Sequence, residues 1–251
     1  MEIQLPENMD WSRPGQYLLV LDVSAEQFSF RIYDAADEEE RFAYRLTGDA
    51  SSDAFSQFRE AFFAHDFFTY PFRTIRIVNH TPVFTCVPNL LFEEKDKEAY
   101  LQFLFADASG QFLHQTLLNP EMTIVHNLPD EVYGFLQRSC PEASIEHYTT
   151  AFIEWCQAMD LPAPGNRMFL FGEKGGIHVL GFSHRQLLLS NYFRCESADE
   201  AVYYALYLFK QLKFNQLKDY VYLVKTEKAL EDAVGKYVQN VTVCENFKNF
   251  R

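Results

Sequence analysis

Glycine is scarce in this sequence: ten in 251 residues, about 4% against a usual ~7%. Loops that cradle phosphates on bare backbone therefore have few places to stand. Cysteine is scarce too. The five present (Cys86, Cys140, Cys156, Cys195 and Cys244) are never closer than sixteen residues, so no C-x-x-C pair offers a zinc or redox site, and packed reduced thiols are expected. No apolar run approaches the ~18 residues of a membrane span, Tyr17 to Leu21 being among the longest. Met1 to Gln16 holds acids, prolines and a tryptophan, without the basic start and apolar stretch of a secretory leader. A cytoplasmic location is the expectation. The G-x-S-x-G, H-E-x-x-H, P-loop and Rossmann glycine signatures are absent as well, which closes the most readable enzyme routes.

What the sequence has is aromatic and acidic. Twenty-five Phe and fourteen Tyr, within 48% hydrophobic residues, suffice for a large core, and exclude a disordered or fibrous chain. The net charge of −13 is uneven: residues 210–251 hold eight Lys/Arg and five acids. That tail is +3 and the rest is −16. A surface this negative repels phosphate backbones, so nucleic acid is not expected as a partner, whereas the basic tail reads first as a solvated face, with a docking patch for an acidic partner as the alternative.

Along the chain, YLLVLDV (17–23) is a nearly continuous apolar run, as in a strand covered on both faces. Phe28, Phe30 and Ile32, then Phe42, Tyr44 and Leu46, alternate with polar residues and predict two further strands of a meander. Ser52-Asp53 caps a helix whose Phe55, Phe58, Phe62 and His65 form one buried stripe, and RTIRIV (73–78) is a strand. The stretch to residue 159 reads as extended at 82–92, helix at 93–105, strands at FLHQTLL and MTIVHNL, and helices over 129–140 and 149–159. DLPAPGN (160–166) is the strongest breaker. The boundary is placed there, giving a first domain over 1–160, with an inserted subdomain at about 80–150, and a second over 161–251. The second repeats the opening order. RMFLFG, GIHVLGF and QLLLSNYF are strands, Ser197 to Glu200 is a capping box, and a helix carries Val202, Leu206, Phe209 and Lys213 on one side. VYLVK, a helix over 227–238 and VTVCEN close the chain.

Strand-strand-strand-helix-strand thus occurs at 17–78 and 167–225, offset by about 148 residues. Two such β-β-β-α-β units, the first with an insertion, resemble the actin-like ATPase superfamily, whose bacterial division and pilus-assembly members share this order. Among them the chain is most similar to uncharacterised bacterial proteins with an actin-like fold. The resemblance implies an α/β fold of duplicated units, actin-like and ribonuclease H-like, in two lobes. LVLDVSAEQFSFRIYD resembles the phosphate-1 motif, D-x-G, and FLFGEKGGIHVL the phosphate-2 motif.

In that frame Asp22 takes the phosphate-1 acid position, but Ser24 replaces the glycine. If the site needs φ > 0, the serine costs on the order of 1 kcal/mol. In phosphate-2 the glycine is Gly172 and the acid position is Leu170; Glu173 and Lys174 follow in the turn. Where paired glycines should receive the adenosine, Lys225-Thr226-Glu227 stands. The expectation is a non-catalytic module that binds a protein partner, with no catalytic residue, metal or cofactor. The alternative is a member that holds ATP and magnesium between its lobes through Asp22, Ser24, Gly172, Glu173, Lys174, Gly175 and Gly176. A further alternative is an α+β domain unrelated to actin. Read structurally, Asp22 is a strand-end carboxylate receiving turn amides, and Gly175-Gly176 is a tight hairpin turn.

Overall fold

A computed structural model of the chain describes residues 3–6, 9–25, 27–47, 53–119, 121–159, 165–173 and 175–244. Lys174 and most of the 160–166 breaker, at 160–164, lie outside the described residues. Three meander strands come first: β1 (Tyr17–Val23), β2 (Gln27–Asp34) and β3 (Glu40–Thr47). Helix α1 (Ala54–Ala64) follows, its Asp53 N-cap carboxylate accepting from Ser56 N at 2.9 Å. The stripe of α1 buries Phe55, Phe58 and Phe62. His65 departs from the expectation: it caps the C-terminus in extended conformation, and its Nε2 accepts from Ile3 N at 3.2 Å.

After β4 (Thr74–Asn79) come β5 (Phe84–Pro88), α2 (Lys97–Leu104), β6 (Gln111–Leu117), β7 (Met122–Leu128), α3 (Asp130–Ser139), β8 (Ser144–His147) and α4 (Tyr148–Ala158). Strand β8 has no counterpart among the elements expected from the sequence. It is four residues long and runs straight into α4, so it offers too little alternation to be read. The remaining elements are β9 (Asn166–Glu173), β10 (Gly176–Ser183), β11 (Gln186–Arg194), α5 (Ala198–Gln211), β12 (Tyr220–Val224), α6 (Lys228–Val234) and β13 (Asn240–Cys244).

Two five-stranded sheets are ordered β3-β2-β1-β4-β8 and β11-β10-β9-β12-β13. Their directions agree: the first three strands of each list are antiparallel, and the next two run parallel to the central one. A smaller sheet is ordered β5-β7-β6. By contacts the chain divides into Met1–Val87, Leu91–Gln115 and Thr123–Tyr148 on one side, and Pro88–Leu90, Thr116–Met122 and Thr149–Arg251 on the other. Nearly all of α4 therefore groups with the second unit.

Each unit has its own core. In the first, Leu19, Leu21 and Val23 of β1 meet α1 and α3 over a dense aromatic packing, with Phe28 stacked on Phe58 at 4.9 Å. In the second, Met168 and Leu170 of β9 meet Ala201, Val202, Ala205, Leu208 and Phe209 of α5. Ser197 caps α5, its Oγ accepting from Glu200 N at 3.3 Å, while the Glu200 carboxylate accepts from Glu196 N rather than from Ser197. Leu206 is only half-buried and Lys213 lies outside the helix, against expectation. Lys213 has φ 58, and Phe214 N donates to Phe209 O at 2.9 Å. This is a left-handed C-terminal closure, which ends the helix before position 213 can join its stripe.

Candidate functional site

Alternation along β1 puts Leu19, Leu21 and Val23 into the α1 core and turns Asp22 to the opposite face. There the polar face of β2 lies beside it. Arg31 donates from Nε to Asp22 Oδ2 at 2.8 Å and from Nη2 to Oδ1 at 2.7 Å, a bidentate pair whose side chains are only 15% and 11% exposed. Ser29 Oγ donates to Oδ2 at 3.3 Å, and His80 Nε2, just past β4, donates to Oδ1 at 2.9 Å. Asp22 is thus held by side chains of β2 and by His80 just past β4, not by turn amides. Burial works against its ionisation, yet the His80 hydrogen bond and the Arg31 charge outweigh it and hold the carboxyl at about 2.

The ladder continues outward across the sheet. Arg31 Nη1 donates to Tyr33 Oη at 2.7 Å, and Tyr33 Oη donates to Glu40 at 3.3 Å. Burial raises the Tyr33 phenol to about 12. On the other side His80 lies flat on Tyr148, ring centroids 5.2 Å apart. A line from Glu40 to His80 therefore joins four neighbouring strands. Arg31 and His80 were not singled out from sequence. The alternation of Ser29, Arg31 and Tyr33 was visible, but His80 lies 58 residues from Asp22 and only the β1–β4 pairing brings it near.

Ser24 closes the β1–β2 turn. Its Oγ donates to Gln27 O at 3.0 Å and accepts from Gln27 N at 3.1 Å. It is not among the residues with positive φ, so the strain expected of a serine at this position does not arise.

In the second sheet the register corrects the alignment. Asp22 pairs with Ser29, seven residues on, and the residue of β9 that pairs seven residues on is Phe171, with His178. Phe171, not Leu170, is the positional counterpart of Asp22. Leu170 is fully buried in the core under α5. Phe171 faces the other way and stacks on Phe152 at 4.0 Å. Neither position carries a carboxylate. His178 is fully buried, hydrogen-bonded to Ser190 Oγ at 3.0 Å, and burial lowers it to about 3.

Gly172 lies against the turn after β12. A Cβ there would overlap the Lys225 carbonyl oxygen and stand 3.2 Å from Thr226 Cα. The sequence therefore brings Gly172 and Lys225-Thr226 together, and the backbone of the latter fills the space beside the former. Lys225 has φ 52, a left-handed conformation that glycine adopts freely and lysine does not. Glu173 ends β9 opposite Gly176. Gly175 has φ 77 with open space around it, whereas a Cβ on Gly176 would strike the Phe193 carbonyl. Gly175 lies before the first paired residue of β10, Gly176, which pairs with Glu173. No group of three or more His, Cys, Asp or Glu among the described residues could hold a metal ion.

Two five-stranded sheets of one order and direction, each backed by a helix between its third and fourth strands, define an actin-like ATPase fold. A solved structure from Bacteroides thetaiotaomicron VPI-5482, described as a protein with actin-like ATPase fold and unknown function, is similar at 26% identity over 94% of this chain and 93% of that one, with a TM-score of 0.85. The PilM-PilN type IV pilus biogenesis complex is similar at 10% identity over 90% of this chain and 88% of that one, with a TM-score of 0.54, a likeness of fold. No curated protein matches the chain. The chain belongs to the DUF3822 family, proteins of unknown function, whose model matches residues 6–241. No helix of the described residues is long and apolar enough to cross a membrane.

Proposed function

We propose that the chain is a non-catalytic actin-like module that acts by binding a protein partner in the cytoplasm, its two units descending from one duplicated β-β-β-α-β pattern. The observation that carries this reading is the state of Asp22. In an acid that organises metal-bound water, the carboxylate must face the cation. Here two Arg31 donors, Ser29 and His80 take its oxygens, and the guanidinium supplies the positive charge from within.

The other nucleotide positions support the same reading. Apolar Leu170 and Phe171 stand where a second acid is needed, Ser24 spends its hydroxyl on its own turn, and Gly172 is covered by the Lys225 carbonyl. These residues do not fit a magnesium nucleotide. The fold likeness to PilM, in its complex with PilN, is a precedent for an actin-like module engaged with another protein.

Thermal melting with and without magnesium ATP tests the proposal. A ligand at a hundred times its Kd adds about 2.7 kcal/mol, so a flat melting curve at millimolar ATP supports the non-catalytic reading. A rise of several degrees that Asp22→Asn removes would overturn it in favour of an ATP-binding protein.

A further inference from the structure

The described residues carry two exposed apolar faces of opposite charge. The first is on α2. Leu91, Phe103 and Leu104 are 65%, 88% and 58% exposed. The turn carrying Leu91 is pinned to the helix, since Tyr100 Oη donates to Leu91 O at 2.7 Å and accepts from Glu93 N at 3.2 Å. Residues 91–107 hold five acids and two lysines.

The second face lies at the start of β12 and β13. Leu217 and Tyr237 are 71% and 53% exposed. Their loops are joined, Gln239 N donating to Gln216 O at 2.9 Å and Asn240 Nδ2 to Lys218 O at 3.2 Å. Residues 210–218 and 235–240 contain Lys210, Lys213, Lys218 and Lys236 and no acid. The adjoining Asp219 is turned inward, accepting from Asn215 N and Asn166 Nδ2. Four lysines thus stand on the segments that carry the exposed Leu217 and Tyr237, on a chain of net charge −13.

Exposed leucine and aromatic side chains ringed by one sign of charge are the anatomy of an interface. Each face offers what the other lacks. We propose that the α2 face of one copy docks on the β12–β13 face of a second copy, a contact between unlike surfaces that leaves one face free at each end of an assembly. Apolar contact supplies the attachment, and the lysine-carboxylate rim sets the pairing and its rate. This inference rests on the reading of the chain as an interaction module, and names its partner as another copy of itself.

The test is sedimentation velocity on the full chain and two charge-reversed variants, Glu94→Lys with Glu98→Lys and Lys218→Glu with Lys236→Glu. Wild type should sediment faster as concentration rises, reaching this more slowly at about 1 M salt, where exposed charges are screened beyond about 3 Å. Each variant alone should associate at least about tenfold more weakly. An equimolar mixture should form a one-to-one dimer, because each variant keeps the face the other has lost. That recovery also shows that both variants are folded. A wild type monomeric at the highest concentration, association indifferent to both reversals, or a mixture that stays monomeric would each overturn the proposal. Monomeric protein with a flat magnesium-ATP melt would remove this contact and leave the non-catalytic reading standing; an ATP-stabilised protein that assembles as described would do the reverse.

Discussion

Arg31 grips Asp22 through two hydrogen bonds of 2.8 and 2.7 Å across the β1–β2 ladder, so this carboxylate carries its own counter-cation. Both side chains are largely buried. Removing one partner of such a pair strands the other charge and costs about 3–5 kcal/mol. Arg31→Met is expected to destabilise the chain by about 3 kcal/mol in urea unfolding. The double variant Asp22→Asn with Arg31→Met should recover part of the loss, giving a coupling energy well above 1 kcal/mol. Additive losses would show that the pair contributes nothing as a unit.

The same pair sets a pH dependence at the acid end. The Asp22 carboxyl is held at about 2 in the folded chain, below its usual 3.8, so the unfolded chain binds that proton first as pH falls. Its contribution is full above about pH 4 and is lost between there and about pH 2, amounting to roughly 2 kcal/mol. Asp22→Asn should flatten the stability curve in that window and leave its shape above pH 5 unchanged.

Two buried histidines act at higher pH. Burial lowers His126 to about 3, with His114 adding to the effect, and lowers His178 to about 3. Between the ordinary value of 6.5 and about 3 the unfolded chain binds these protons and the folded chain does not. Stability should therefore fall with pH by about 1.4 kcal/mol per unit for each residue below 6.5. Urea midpoints compared at pH 7 and pH 5 should show a smaller decline in His178→Phe than in wild type, by roughly 2 kcal/mol. An equal decline would mean that His178 is protonated in the folded state.

Gly172 and Lys225 make opposite predictions at one contact. A methyl group on Gly172 overlaps the Lys225 carbonyl, which is backbone and yields little, so Gly172→Ala should cost about 1–3 kcal/mol. Lys225→Gly relieves a left-handed residue, but frees the unfolded chain by a similar amount and should be neutral within about 0.5 kcal/mol. Lys225→Val, a β-branched residue in that conformation, should cost more than 1 kcal/mol. Chemical denaturation of the three variants checks the order.

Much of this fold is legible in the sequence because its cues are local. The alternation of Phe28, Phe30 and Ile32, the Asp53 and Ser197 caps and the apolar runs of β1 and β9 each depend on neighbours within a few residues. The four-residue β8 has no such cue. The site was less legible because its geometry is set by pairing. Asp22 could be picked out as a strand-end acid, but Arg31 reaches it diagonally across β2 and His80 through a parallel neighbour. A shift of one residue in the repeat also changes which face a side chain occupies. The β9–β10 register accordingly pairs Phe171, and not the Leu170 of the sequence alignment, with the residue seven positions on.

Calorimetric titration of the chain with ATP in excess magnesium tests the central claim most directly, because the proposed reading turns on the Asp22 carboxylate being taken by Arg31, Ser29 and His80. The account predicts no binding heat up to millimolar nucleotide. Saturable heat with a Kd of about 1 mM or tighter, which is at least about 4.1 kcal/mol of binding free energy, lost in Asp22→Asn, would contradict it.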